Sequence, residues 1–198
     1  MVLAAGASSR MGTPKELLKF HGFTCLELVL RACRTAALET PIVVTRRERL
    51  PLVEPMLAAP PCGPATVVVN ERPERGQTSS LQAGLLALPK GARGFLIFPV
   101  DHPLITGADV ENLLNVFTSQ RCAVVVPSFS NRRGHPVVVD VSLREPLLAL
   151  PEGGAARDVL RAHTDDTRFV AFDDDRVLMD MDTPAAYAEC LRRFGPTV

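Results

Sequence analysis

A chain of 198 residues, 46% apolar and 22% charged, has the size of one ordinary domain with a self-sufficient core. Its 22 basic and 22 acidic side chains cancel to zero, which excludes the basic excess of a general nucleic-acid binder, and the apolar fraction excludes disorder. No apolar run approaches the roughly 20 residues that span a bilayer, so no membrane association is expected. The stretch Met1-Val2-Leu3-Ala4-Ala5-Gly6 lacks a basic flank and is too short for a signal peptide. Cys25, Cys33, Cys62, Cys122 and Cys190 are widely spaced, without a C-x-x-C pair, and all but Cys62 sit in apolar periodic segments. They read as buried thiols of a reducing compartment, so a cytoplasmic location is expected.

The first strand is predicted over residues 2–5 and runs into Gly6-Ala7-Ser8-Ser9-Arg10-Met11-Gly12-Thr13-Pro14-Lys15. Small residues and glycines let the backbone approach a ligand, and their N–H groups can form an anion nest. Arg10 and Lys15 add two cations, a combination suited to a polyphosphate. A tight strand-to-helix turn with solvated cations is the plainer reading. The loop is neither a Walker A nor a G-x-G-x-x-G sequence.

A helix is predicted over 25–38, where Leu26, Val29, Leu30 and Cys33 form one stripe, followed by a strand over 42–45 and a mixed-charge face at Arg46 to Arg49. Residues 58–64 read as a surface connection. The strand over 66–70 ends at Asn70, and Gly76-Gln77-Thr78-Ser79-Ser80 leads into a helix over 80–88. Those donors suit a base edge or ribose, or simply cap a helix.

The strand over 95–100 ends in Asp101-His102-Pro103. Asp101 either caps the turn or faces a ligand-bound Mg²⁺, which takes one or two protein carboxylates and completes its shell with phosphate and water. A helix follows over 108–120, then strands over 123–127 and 137–141 around the basic loop Asn131-Arg132-Arg133-Gly134-His135-Pro136. His135 is a candidate acceptor ligand or a surface-turn histidine. Helices over 142–150 and 155–163 come next, the second opened by Gly153-Gly154-Ala155-Ala156-Arg157, a further phosphate site or a flexible turn. After a strand over 168–172, Asp173-Asp174-Asp175 reads as a solvated hairpin turn into a last strand over 177–181. Alternation there puts Asp180 and Asp182 on one face. Asp182 can serve the dipole of the helix over 184–194, which makes Asp180 the better second metal ligand.

Alternating strands and helices predict a three-layer α/β/α Rossmann-like fold with a mostly parallel sheet and right-handed crossovers, as one domain over 1–198. Its ligands should sit beyond the carboxyl ends of the strands.

Leu3-Ala4-Ala5-Gly6-Ala7-Ser8-Ser9-Arg10-Met11-Gly12-Thr13-Pro14-Lys15-Glu16-Leu17-Leu18 resembles the nucleotidyltransferase signature L-A-A-G-x-S-x-R-M-G-x-x-K-x-L-L. Phe98-Pro99-Val100-Asp101-His102-Pro103-Leu104 resembles the P-V-D-x-P segment of molybdenum-cofactor cytidylyltransferases, and Gly76 to Leu85, Arg132 to Pro136 and Asp180 to Pro184 are similar to further landmarks in the same order. The resemblance implies Mg²⁺-dependent transfer of a nucleoside monophosphate from a nucleoside triphosphate to a phosphorylated acceptor, with release of pyrophosphate.

By the same resemblance Arg10, Lys15 and Asp101 are catalytic. Leu3, Ala4, Ala5, Gly6, Arg10, Gly12, Lys15, Asn70, Gly76 and Ser80 bind the nucleotide, and Asp101 with Asp180 holds Mg²⁺. His102, Gly134, His135 and Arg157 face a molybdopterin acceptor, so that residues of about 120–180 supply the acceptor side. Ala-Ala-Gly goes with cytosine in this family and Ala-Gly-Gly with guanine, so Ala5 favours CTP. The chain departs from the family pattern in starting only two residues before the motif and in carrying His102 where Gln is frequent. Alternatives are a guanylyl or other nucleotidyltransferase, or a non-catalytic protein that hands the cofactor to a molybdoenzyme partner. A monomer or weak dimer is expected.

Overall fold

The computed structural model describes residues 1–36, 38, 41–58 and 62–193. Among the described residues, eight strands form one mixed, mostly parallel sheet. β1 (Val2–Leu3) lies between β4 (Ile42–Arg46) and β6 (Gly94–Pro99), parallel to both, and β5 (Thr66–Asn70) continues the parallel set beyond β4. On the other side β9 (Val137–Asp140) is antiparallel to β6 and to β7 (Val124–Phe129), and β10 (Thr167–Ala171) runs parallel to β7 at the edge. β8 (Arg132–Arg133) folds back on the end of β7. β2 (Lys19–Phe20) and β3 (Phe23–Thr24) make a separate hairpin, which sequence periodicity does not announce in so short a segment.

Alternate residues of the buried strands enter two cores. Val2, Ala4, Val43, Phe98 and Val125 join one with α1 (Cys25–Thr35), α4 (Gly107–Gln120) and α7 (Pro184–Arg193). Leu3, Val44, Ile97, Val124 and Val139 join the other with α3 (Gln77–Leu86), α5 (Arg144–Leu148) and α6 (Ala156–Ala162). Period-two alternation therefore serves both faces of a doubly covered sheet. Thr24 with Glu27 and Thr106 with Asp109 close capping boxes that start α1 and α4.

Helix α2 (Leu50–Ala58) carries Pro51 and Pro55, and Pro55 inside the helix hides it from a pattern reading. The expected helix end at residue 194, part of 58–64, and residue 37 of the first expected helix lie outside the described residues. The expected strand over 177–181 is not one. Asp174 accepts from the amide of Arg176 and starts a 3-10 helix over Asp175–Leu178. Its buried Val177 supplies apolar character without pairing in the sheet, and Asp173 to Asp175 lead into this turn instead of forming a hairpin. Among the described residues no helix is long and apolar enough to cross a membrane.

Candidate active site

The chain leaves β1 between β4 and β6, where the strand order reverses: β1 connects toward β4 and β5 at one edge, and β6 toward β7 and β10 at the other. Such a switch point opens a crevice at the carboxyl ends of the strands. Ala4 keeps its backbone bond to Val44 O at 2.8 Å, and Val100 N bonds Leu3 O at 3.1 Å, so the loop after β1 and the turn after β6 emerge side by side. Leu3, Ala4 and Ala5 are buried at the root of this loop, and Gly6 begins its exposed part.

Ser8 organises the loop. At φ 54° it turns the chain so that its carbonyl accepts from Met11 N at 3.0 Å and Gly12 N at 3.1 Å. Its Oγ accepts from Lys15 N at 3.1 Å. Lys15 then starts a 3-10 helix over Lys15–Leu17 and points its ammonium at the end of β6.

There the charges meet. Lys15 Nζ donates to Asp101 Oδ2 at 2.7 Å and also to Asp182, whose other oxygen accepts from Arg10. Burial disfavours the Lys15 ammonium, but Asp101 and Asp182 more than offset it and raise its pKa. The hydrogen bond from Lys15 draws the Asp182 carboxyl below its usual range. Asp180 behaves oppositely: desolvation, with Asp182 and Asp101 nearby, pushes its carboxyl up. Asp182 therefore serves the loop cations, a role the strand alternation expected at this segment did not assign to it. Met181 N bonds Asp101 O at 3.2 Å and holds the two acidic segments together.

A divalent cation fits the donor set. Asp101 and Asp180 offer hard oxygen donors, and the desolvation and like charge that push the Asp180 carboxyl up are what a cation would compensate. Among the described residues no group of three His, Cys, Asp or Glu side chains is arranged as a self-sufficient metal site, so phosphate oxygens and water would have to complete the shell of a bound cation.

Behind Asp101, His102 is buried, and its ring centroid lies 5.1 Å from that of His135. β9 runs antiparallel, so His135 enters at the same sheet edge as Asp101. Burial lowers the pKa of His102, and burial followed by the neighbouring His102 lowers that of His135 to about 4. Both Nδ1 atoms are buried without a hydrogen-bond partner. Gly134 is buried and bonds Pro127 O at 2.8 Å, while a Cβ there would lie 2.5 Å from Val177 O.

The remaining candidates form a neighbouring group. Asn70 ends β5 and donates to Ser79 Oγ at 2.9 Å and Ser80 Oγ at 3.0 Å, while its Oδ1 accepts from Arg72 N at 2.9 Å. Its amide thus shapes the start of α3 after Gly76, which has φ 86°. Thr78 Oγ1 bonds Gly154 O at 2.8 Å and brings the glycine loop beside this turn. Arg157, 76% exposed and 3.8 Å from Asp158, makes no ion pair with the Lys15 and Asp101 centre.

The mixed-charge face expected at Arg46 to Arg49 holds only in part, because Arg49 is buried against the buried Glu16. No spacing rule pairs these two residues. The signal available in sequence was a glutamate directly following Lys15 at the start of an apolar pair.

This fold is that of the nucleotidyltransferases. The chain belongs to the MobA-like NTP transferase domain family, which residues 1–167 match. It is 31% identical over 163 residues to the molybdenum cofactor guanylyltransferase of Xanthomonas euvesicatoria, across 82% of this chain and 75% of that one. It is 30% identical over 168 residues to nicotine blue oxidoreductase of Paenarthrobacter nicotinovorans, across 81% and 80%. Among solved structures, Rv0371c of Mycobacterium tuberculosis superposes with a TM-score of 0.82 at 24% identity over 98% of this chain and 97% of that one. The manganese complex of Rv0371c gives 0.78 at 25% identity over the same shares.

Proposed function

We propose that the chain transfers CMP from CTP to a molybdopterin-type acceptor with release of pyrophosphate, using Mg²⁺, in the cytoplasm. The observation that carries this reading is the convergence of Arg10 and Lys15 from the loop after β1 on Asp101 after β6 and on Asp182. Cations and carboxylates at one switch point suit a metal-bound polyphosphate better than a sugar or a peptide.

An acceptor phosphate is already ionised near neutral pH, so the chain needs no strong general base. Lys15 and Arg10 would exchange Asp182 for phosphate oxygens, neutralising charge that builds up on the leaving pyrophosphate. The loop amides and Ser8 keep the triphosphate in line with the acceptor. Asp101 and Asp180 would hold the metal, which when bound supplies Lewis-acid charge neutralisation. Neutral His102 and His135 would line the acceptor side, next to Asp101.

The choice of base rests on Ala5, in the Ala-Ala-Gly form that favours cytosine. The guanylyl reading is the alternative, supported by the relative named molybdenum cofactor guanylyltransferase. Competition among CTP, GTP, ATP and UTP for binding separates them. CTP should displace a labelled nucleotide at the lowest concentration, and a preference for GTP would overturn the Ala5 argument. A molybdoenzyme that receives the product is the expected partner.

A further inference from the structure

We infer that Arg49 is a positioning residue for the phosphate loop, an inference that rests on the nucleotidyl-transfer reading. Arg49 ends the 3-10 turn Arg47–Arg49 that joins β4 to α2. Its Nη1 donates to both carboxylate oxygens of Glu16, at 2.8 and 2.9 Å, and its Nη2 donates to Ala7 O at 3.2 Å. Ala7 stands at the start of the loop, and Glu16 directly follows Lys15. One planar guanidinium thus ties both ends of the 7–16 segment to the exit of the neighbouring strand.

The loop's own bonds do not do this. Ser8 gathers Met11, Gly12 and Lys15 and folds the loop on itself, without fixing it to the sheet. Glu16 is 1% exposed and Arg49 8% exposed. Burial pushes the Glu16 carboxyl up, and Arg49 opposes that shift. A buried ion pair is a poor way to stabilise a core, since apolar residues of similar volume commonly do as well. An apolar pair could fill this space but could not hold the Ala7 carbonyl. The fork of arginine reaches both ends at once, which a lysine cannot. Because Glu16 and Lys15 are adjacent, displacing one moves the ammonium that must meet Asp101, and a misplacement of about 1 Å can cost roughly a hundredfold in rate.

The test compares wild type, Arg49→Lys and the apolar double variant Arg49→Met/Glu16→Met. Three quantities are read: melting temperature, hydrogen exchange of the amides at 7–16 without nucleotide, and dissociation constants for CTP and GTP. The double variant should melt near wild type, yet exchange its loop amides at least tenfold faster and bind nucleotide at least tenfold more weakly. Arg49→Lys keeps the charge beside Glu16 and should show the same loosening and weakening with its fold intact. Wild-type exchange and affinity in either folded variant would overturn the inference. If wild type bound no nucleoside triphosphate, the nucleotidyl-transfer reading would fall, while loop exchange in the nucleotide-free variants would still decide whether Arg49 anchors the loop.

Discussion

Lys15 and Asp101 lie 86 positions apart in the chain and meet at 2.7 Å, ammonium to carboxylate, across the switch point between β1 and β6. This contact joins the loop that would hold phosphate to the carboxylate that would hold metal, and it defines the centre from which the other roles are measured.

Replacing Lys15 with methionine removes that charge and leaves Asp101 facing Asp182 without a cation between them. Pyrophosphate release should fall about 10²- to 10³-fold, the size expected for one preorganised transition-state partner. The melting temperature should drop by only a few degrees. Turnover within threefold of wild type would show that the Lys15 ion pair serves the fold and not the transfer.

Asp182 pairs with both Lys15 and Arg10, the cations that would meet phosphate. Asp182→Asn should therefore bind pyrophosphate more tightly when divalent ions are chelated, by about fivefold, since a partly exposed ion pair is worth about 1 kcal/mol at most. The gain should shrink as salt rises. Calorimetric titration at two ionic strengths measures it, and weaker binding by the variant would contradict the competition between Asp182 and phosphate.

His135 faces His102, Asp101 and Asp180, and its pKa falls from 6.5 to about 4. Between those values the unfolded chain binds a proton that the folded one excludes, so stability rises with pH across that window and is lost as pH falls through it. The loss attributable to this group is about 3 kcal/mol at most. Urea unfolding at pH 4.5 and pH 7 should show a flatter dependence for His135→Gln than for wild type. Equal slopes would place the imidazole in solvent.

Gly134 has its own steric signature. A methyl group at this position would meet Val177 O at 2.5 Å, and that oxygen already accepts from His135 N at 2.9 Å. Because the obstruction is backbone, Gly134→Ala should destabilise by about 1–3 kcal/mol and displace the turn that precedes Asp180. Manganese affinity, followed by electron paramagnetic resonance, should fall along with stability. An unchanged melting temperature would mean that the turn yields freely.

Much of this was legible in the chain before folding. Continuous apolar runs marked the buried strands, and Gly6 to Lys15 stood out because glycines, cations and a strand end coincide there. What remained hidden had physical reasons. The apolar character of Val177 belongs to a 3-10 turn that fills the core, so no strand alternation sets Asp180 and Asp182, although the two carboxylates still lie near each other. Pro55 masked α2, whose burial outweighs its propensity. Arg49 sat in a run of charges that looked solvated, and only the approach of β4 to the first loop shows it to be a buried partner of Glu16.

The most direct test of nucleotidyl transfer at this centre is pyrophosphate release from CTP with molybdopterin supplied, comparing wild type with Asp101→Ala and identifying the product by mass. A CMP adduct of the acceptor that requires divalent metal is expected, with release reduced at least a hundredfold in the variant. Equal release by Asp101→Ala, or no adduct with any nucleotide, would contradict it.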